Sequence, residues 1–277
     1  MIKSSLIIIA SQCASNAQAE KITTPVSASA GQVITFTADD ELEITSAGTP
    51  AIYANNGGII DARDATTLSI TTSGNYADGV RANNGGEVYL SGGFSVTTSS
   101  FDADGLLARG GNSLIDIGPG DVHISTNYDD TYAIFIAEDS HIKIQDNAVI
   151  ASSENNVEAV TLKSQSRLDS GGINITTTGN QSAGIVNESS DVIIHDLESS
   201  IHTLGTDSMG MRNTGSAQTL FNQSLMISTE GAGATGIYAR DAGTEVTLNG
   251  GSIRTQGENA YGVDVIPKAP LNVKKNY

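Results

Sequence analysis

The amino-acid sequence predicts an all-β fold: a right-handed parallel β-helix, a solenoid with three short strands per coil of about 26 residues. Three observations predict it. A Gly or Ala followed by an apolar residue recurs nine times between Ala51 and Val263, at Ile52, Val80, Leu106, Ile134, Val160, Ile185, Met211, Ile237 and Val263. The intervals are 28, 26, 28, 26, 25, 26, 26 and 26 residues, so one structural unit is stacked along an axis. Gly is abundant (30 residues), Trp is absent, and no segment keeps apolar residues at helical spacing for three turns.

The N-terminus reads as an export signal. Lys3 supplies a positive start, Leu6 to Ala10 an apolar stretch, and Ala17-Gln18-Ala19 a cleavage site before Glu20. Cleavage between Ala19 and Glu20 would remove Lys3 and Cys13, the single cysteine, taking the net charge from −17 to −18. Ser11-Gln12 before Cys13 argues against a lipid-attachment site. Without disulfides, the mature chain must draw its stability from a continuous core. The acidic balance argues against nucleic acid or anionic lipid as partners.

Residues 20–48 are expected to hold a cap and a first partial coil, with Val33-Ile34-Thr35-Phe36 and Leu42-Glu43-Ile44 as its later strands. Residues 49–273 carry the repeats. Their first strand holds the nine-fold phrase. The small residue before the apolar column is Ala in three coils, so close packing and not positive φ explains it. Two residues after that column stand Ala54, Ala82, Ala108, Ile136, Leu162, Asn187, Asn213, Ala239 and Val265, with large or polar residues between. That alternation describes a strand with one buried face. The second strand is expected at Ile60, Val88, Leu114, Ile142, Leu168, Ile193, Leu220 and Val246. The third is expected at Ile70, Val96, Ile124, Ile150, Ile175, Ile201, Ile227 and Ile253. Gly-Gly pairs mark turns. At the strand spacing of about 4.8 Å the rod would be roughly 40 Å long. Leu271-Asn272-Val273 falls where the next second strand should start, and residues 274–277 read as a truncated end inside a coil.

The export signal, degenerate coils such as Gly236-Ile237-Tyr238-Ala239 with Glu245-Val246-Thr247-Leu248 and Ile253-Arg254-Thr255, and the thiol-free acidic composition resemble a bacterial autotransporter passenger of the pertactin-like kind. The resemblance covers about residues 20–273. It implies secretion through the outer membrane by a C-terminal β-barrel and a role in adhesion or surface interaction, including virulence. The implied partner is a host cell-surface or matrix ligand. After Val273 no stretch resembles barrel strands, so the translocator is missing from the chain.

Chemistry is sparse. No Gly-Asp-Ser-Gly nucleophile is present, which excludes the protease sub-class of that family. Polysaccharide lyases and hydrolases share the β-helix and need clustered carboxylates on one face. Asp78 and Asp104 share a column in consecutive coils and are the candidate pair for a cation or for acid–base work; the blander reading is solvated turn residues, and the sequence favours it. Asp129-Asp130 reads as a solvated loop. His123, His141, His195 and His202 show no ligand spacing, and His141 reads as an exposed strand residue. No cofactor is expected. Asn187 and Asn213 occupy adjacent inward positions where their amides could bond along the stack. Thr71, Thr97, Ser125, Ser152, Thr176, Ser228 and Arg254 form an expected outward row, and a regular row of this kind can bind ice. Tyr53, Arg81, Phe135, Arg212 and Tyr238 are outward strand residues that could meet a ligand. The expectation is a non-enzymatic adhesin or scaffold, exported to the periplasm, cell surface or medium. The alternatives are a carbohydrate-active enzyme and, behind it, an ice-binding protein.

Overall fold

In the computed structural model, which describes residues 20–266 and 271–273, every pairing joins a strand to its equivalent one coil away, in parallel. The expected signal peptide with its Ala19 cleavage site, and the tail 274–277, lie outside the described residues. The first ladder is a 10-stranded sheet running from Val26–Ser29 to Tyr261–Val265. It matches the expected register throughout: Ile52 opposes Val80, Val80 opposes Leu106, and so on to Ile237 and Val263. The second and third ladders share an 18-stranded sheet, because His141–Ser152 and Arg167–Thr177 run through both. The fold is a parallel β-solenoid with three strands per coil.

The segment expected as a cap joins the ladders. Lys21–Ile22 pairs with Glu41–Ser46, and Val26–Ser29 pairs with Ile52–Asn55, so the regular stack starts one coil earlier than the nine-fold phrase.

The corners explain the repeat. Four residues after each apolar column, the chain enters left-handed backbone: Asn56 (φ 50), Asn84 (φ 49), Gly110 (φ 78), Glu138 (φ 59), Ser164 (φ 58), Ser189 (φ 57), Gly215 (φ 67) and Asp241 (φ 80). Four residues before the column it does so again, at Tyr76 (φ 62), Asp102 (φ 49), Asp130 (φ 54), Asn156 (φ 56), Gln181 (φ 55), Asp207 (φ 53), Gly233 (φ 69) and Asn259 (φ 57). Single residues of this conformation redirect a strand sharply, and Gly, Asn and Asp adopt it at least cost. At least two such corners per coil, at fixed offsets and after the first strand often as adjacent pairs (Asn56-Gly57, Glu138-Asp139, Ser164-Gln165), turn a linear sequence into a stack.

Inward residues fill a continuous core: Ile52, Val80, Leu106 and their equivalents from the first ladder meet Ile70, Val96 and Ile124 from the third. The small column before the first strand is a packing constraint, as its Ala members imply. A Cβ at Gly105 would stand 2.5 Å from the Ala133 carbonyl oxygen and 2.5 Å from Ile124 Cγ2. The second ladder corrects three assignments. Ile115, Val192 and Thr219 face inward in register with Val88 and Ile142, while Leu114, Ile193 and Leu220 face outward. The one-residue error arises at Leu114 and Ile193 because the strands are apolar on both faces, and at Leu220 because the inward residue is the polar Thr219; each erases the alternation that reveals register.

Candidate functional site

Asp78 and Asp104 do stack in neighbouring coils, but not as solvated turn residues. They are 2% and 3% exposed. Asp78 Oδ1 accepts a hydrogen bond from the Asp104 N–H at 2.9 Å, and Asp104 Oδ1 accepts one from the Tyr132 N–H at 2.8 Å. Each carboxyl therefore caps the backbone of the next coil at the corner leading into the first strand. Arg81 Nη1 lies 3.3 Å from Asp78 Oδ2 and its guanidinium stacks over the Tyr53 ring at 5.4 Å. Burial pushes Asp78 up to about 7, against the pull of the Asp104 N–H and Arg81. Burial, and then the neighbouring Asp78 charge, push Asp104 well above the ordinary carboxylate range. Glu158 occupies the same column further along and is also pushed up by burial; it lies 3.8 Å from Arg212.

Asn187 and Asn213 are fully buried and in register. Their amides do not bond directly along the stack. Instead Thr219, from the second ladder, bridges them: its Oγ1 accepts from Asn187 Nδ2 at 3.1 Å and donates to Asn213 Oδ1 at 2.6 Å. Asn187 Nδ2 also donates to the Gln218 carbonyl at 3.0 Å.

The outward row after the third strand is less regular than expected. Ser152 is buried and belongs to an inward column with Thr72, Thr98, Thr126, Thr177, Thr203 and Thr229. Ala151 takes the outward place beside Ser125 and Thr176, and His202 takes the next. With Arg254 the row is broken three times, which removes the uniform hydroxyl lattice an ice surface would match. The inward hydroxyls of Thr72, Thr98, Thr126, Ser152, Thr177, Thr203 and Thr229 have no hydrogen-bonding partner among the described residues.

The outward strand residues Tyr53, Arg81, Phe135, Arg212 and Tyr238 are only half-exposed. Arg81 is held by Asp78 and Tyr53. Arg212 lies 3.1 Å from Glu188 and opposes the buried Val186 in register. Phe135 packs on Tyr132, with ring centroids 5.1 Å apart.

The densest polar cluster centres on Asp169, on the outer face of the second ladder. Arg167 reaches it through two nitrogens, Nε to Oδ2 at 2.5 Å and Nη2 to Oδ1 at 2.8 Å. His141 Nε2 lies 2.6 Å from Oδ2, and His195 Nε2 lies 2.9 Å from Oδ1. Register brings these groups together: His141 opposes Arg167, and Asp169 stands one step along the same strand face. Burial works to raise the Asp169 carboxyl, but its bonds to Arg167, His195 and His141 together hold it well below the usual carboxylate range. Burial likewise pulls His141 below its ordinary value, against the opposing Asp169 bond. Beside the cluster runs an open groove of about 410 Å³ crossing coils, lined by Asp116, Lys143, Gln145, Asp169, His195 and Asp196. Lys143 Nζ is 3.9 Å from Asp116 Oδ2, so most of its donor capacity faces solvent.

The column alignment held the signal for this cluster, since the histidines and Asp169 stand about one coil apart in sequence. Treating His141 as a lone strand histidine missed it. His202 also has a carboxylate partner, Glu230 Oε1 at 2.9 Å. Among the described residues no group of three or more His, Cys, Asp or Glu side chains is arranged to hold a metal ion, and no helix is long and apolar enough to cross a membrane. The Asp169 cluster can bind and orient a hydroxyl-rich or charged group. Its carboxyl is held in the ionised form.

No family model matches the chain, and neither the curated proteins nor the solved structures contain a match to it. What places the protein is its architecture, a three-stranded parallel β-solenoid.

Proposed function

We propose that the chain is a secreted β-helical rod of the autotransporter-passenger type, acting as a non-enzymatic adhesin or scaffold. One observation supports this over an enzyme: the carboxyls of the two candidate sites, Asp78 and Asp104 in one and Asp169 in the other, are committed to structure. Asp78 and Asp104 are buried caps on backbone N–H groups. Asp169 is locked by an arginine and two histidines. An acid–base carboxyl of a glycoside hydrolase or lyase has to be free to exchange a proton with substrate or to hold a cation, and these three are not. Under this reading the partners are a host cell-surface or matrix ligand and an outer-membrane β-barrel translocator.

The carbohydrate-active alternative draws on the groove beside Asp169, where Asp116, Lys143 and His195 are open to solvent. One experiment separates the two. The purified chain is incubated with neutral and acidic polysaccharides, with and without calcium, and products are followed by size and by new reducing ends. No cleavage, together with saturable binding to cells or matrix, is expected. Cleavage abolished in Asp116→Asn or Asp169→Asn would overturn the adhesin reading.

A further inference from the structure

Between the inward Thr or Ser that ends the third strand and the small residue before the first-strand apolar column, six residues intervene in eight successive coils, from 73–78 to 256–261. The second to fourth positions lie at the corner: the third is exposed in every coil, the fourth in all but one, and the second is Gly in five coils, buried at Gly179 and Gly205. In five coils they hold only Gly, Ala, Asn, Gln, Thr, Asp and Glu, residues suited to a left-handed turn. Three consecutive coils break that rule. Tyr76 stands at the fourth position, Phe101 at the third and Tyr128 at the second, so the rings step diagonally across the corner. They are 57%, 36% and 46% exposed.

No core packing accounts for these rings. Tyr76 adopts φ 62, where every other coil described carries Asp, Asn, Gln or Gly. A bulky side chain there is disfavoured by backbone sterics, and it gains little burial in return. The Tyr76 N–H donates to the Phe101 carbonyl at 3.0 Å, which ties the two coils together and sets the rings edge to face, 5.8 Å between centroids and 90° between planes. One ring's edge rests against the other's face, and both rings keep the exposure given above. Around them Asp102, Asp129 and Asp130 are exposed and take no hydrogen bond or ion pair with other described residues.

We propose that Tyr76, Phe101 and Tyr128, with Asp102, Asp129 and Asp130, form a binding stripe for a neutral or amino-sugar glycan chain. Aromatic faces are electron-rich and attract the weakly positive C–H faces of pyranose rings. Free carboxylates accept hydrogen bonds from sugar hydroxyls, in the ionised form with both oxygens available. Coils rise by about 4.8 Å, so a stripe across three coils spans more than one sugar unit. The same carboxylates, in a chain of net charge −17, repel uronate or sulfated glycans. The proposal gives the adhesin reading a ligand class and rests on that reading for its biological setting.

The test uses chitohexaose and cellohexaose as neutral probes and polygalacturonate as the acidic one, with the full chain, by calorimetry and affinity electrophoresis. The variant combines Tyr76→Asn, Phe101→Asn and Tyr128→Ser, residues that other coils carry at those places, so the solenoid is retained; circular dichroism checks it. The expected result is millimolar or tighter binding of a neutral probe, weakened at least tenfold in the variant. Equal binding by the variant, no binding of either neutral probe, or preference for polygalacturonate would overturn the stripe. So would a dimer of the parent chain that the variant abolishes, which would make the rings a self-association surface. Cell adhesion that survives in the variant refutes the stripe while leaving the adhesin reading intact; polysaccharide cleavage refutes that reading instead.

Discussion

Replacing Asp78 separates its two roles, acceptor and buried charge. In the folded chain its carboxyl is pushed up to about 7, against an ordinary value of 3.8. The folded state therefore holds the proton more tightly than the unfolded one. Stability from the protonated group is fully present below about 4 and is lost as pH rises through about 7. At 1.36 kcal/mol per pH unit, that gap amounts to roughly 4 kcal/mol as an upper bound, shared with Asp104 because the two carboxyls titrate together. Asp78→Asn keeps an oxygen for the Asp104 N–H but removes the charge and the Arg81 pair. Urea unfolding, followed by circular dichroism between pH 5 and 8, should show a parent midpoint that falls more steeply than the variant's. The variant should be slightly weaker at pH 5 and equal or stronger at pH 8. Asp78→Ala also orphans the Asp104 N–H and should cost about 1–3 kcal/mol at pH 5. Parallel pH profiles for parent and Asp78→Asn, or an alanine variant as stable as the parent, would refute the buried-cap account.

Three further outcomes are expected. Thr126→Val removes a buried hydroxyl without a partner and keeps the shape, so stability should rise by about 1 kcal/mol; a loss of that size would show that the hydroxyl is bonded in solution. Thr219→Val should cost about 2–3 kcal/mol, because it strips the bridge between two buried amides, and an unchanged unfolding midpoint would contradict the bridge. In Asp169→Asn the bond that holds His141 up is weakened, so an NMR titration should place His141 further below its ordinary value than in the parent; an unchanged or higher value would count against the cluster.

The third strand was legible where its inward residues alternate with polar ones, as in Ser69-Ile70-Thr71, and the first from the small residue before its apolar column, even where Ile134-Phe135-Ile136 does not alternate. The second ladder was not fully legible: Leu114-Ile115 and Val192-Ile193-Ile194 are apolar on both faces, and period alone cannot choose between them. The pairing of Asp78 with Asp104 followed from the column alignment. Their burial did not, because a short carboxyl at a corner looks the same in sequence whether it caps a backbone N–H or meets solvent. Asp169 shows the same limit. Its partners come from strands on either side, so only the stacked register brings Arg167, His141 and His195 onto one carboxyl.

The left-handed hinges have a consequence for how the chain grows. Because each corner repeats at a fixed offset, every new coil closes a loop of about 26 residues onto the one before it. The entropy lost in closure depends on loop length and is therefore nearly the same for the eighth coil as for the second. Most large parallel sheets fold slowly because distant segments must find one another. Here the partner of any strand is always the coil just completed. Structure can spread by addition from one formed coil, in either direction, with no increase in cost as the rod lengthens.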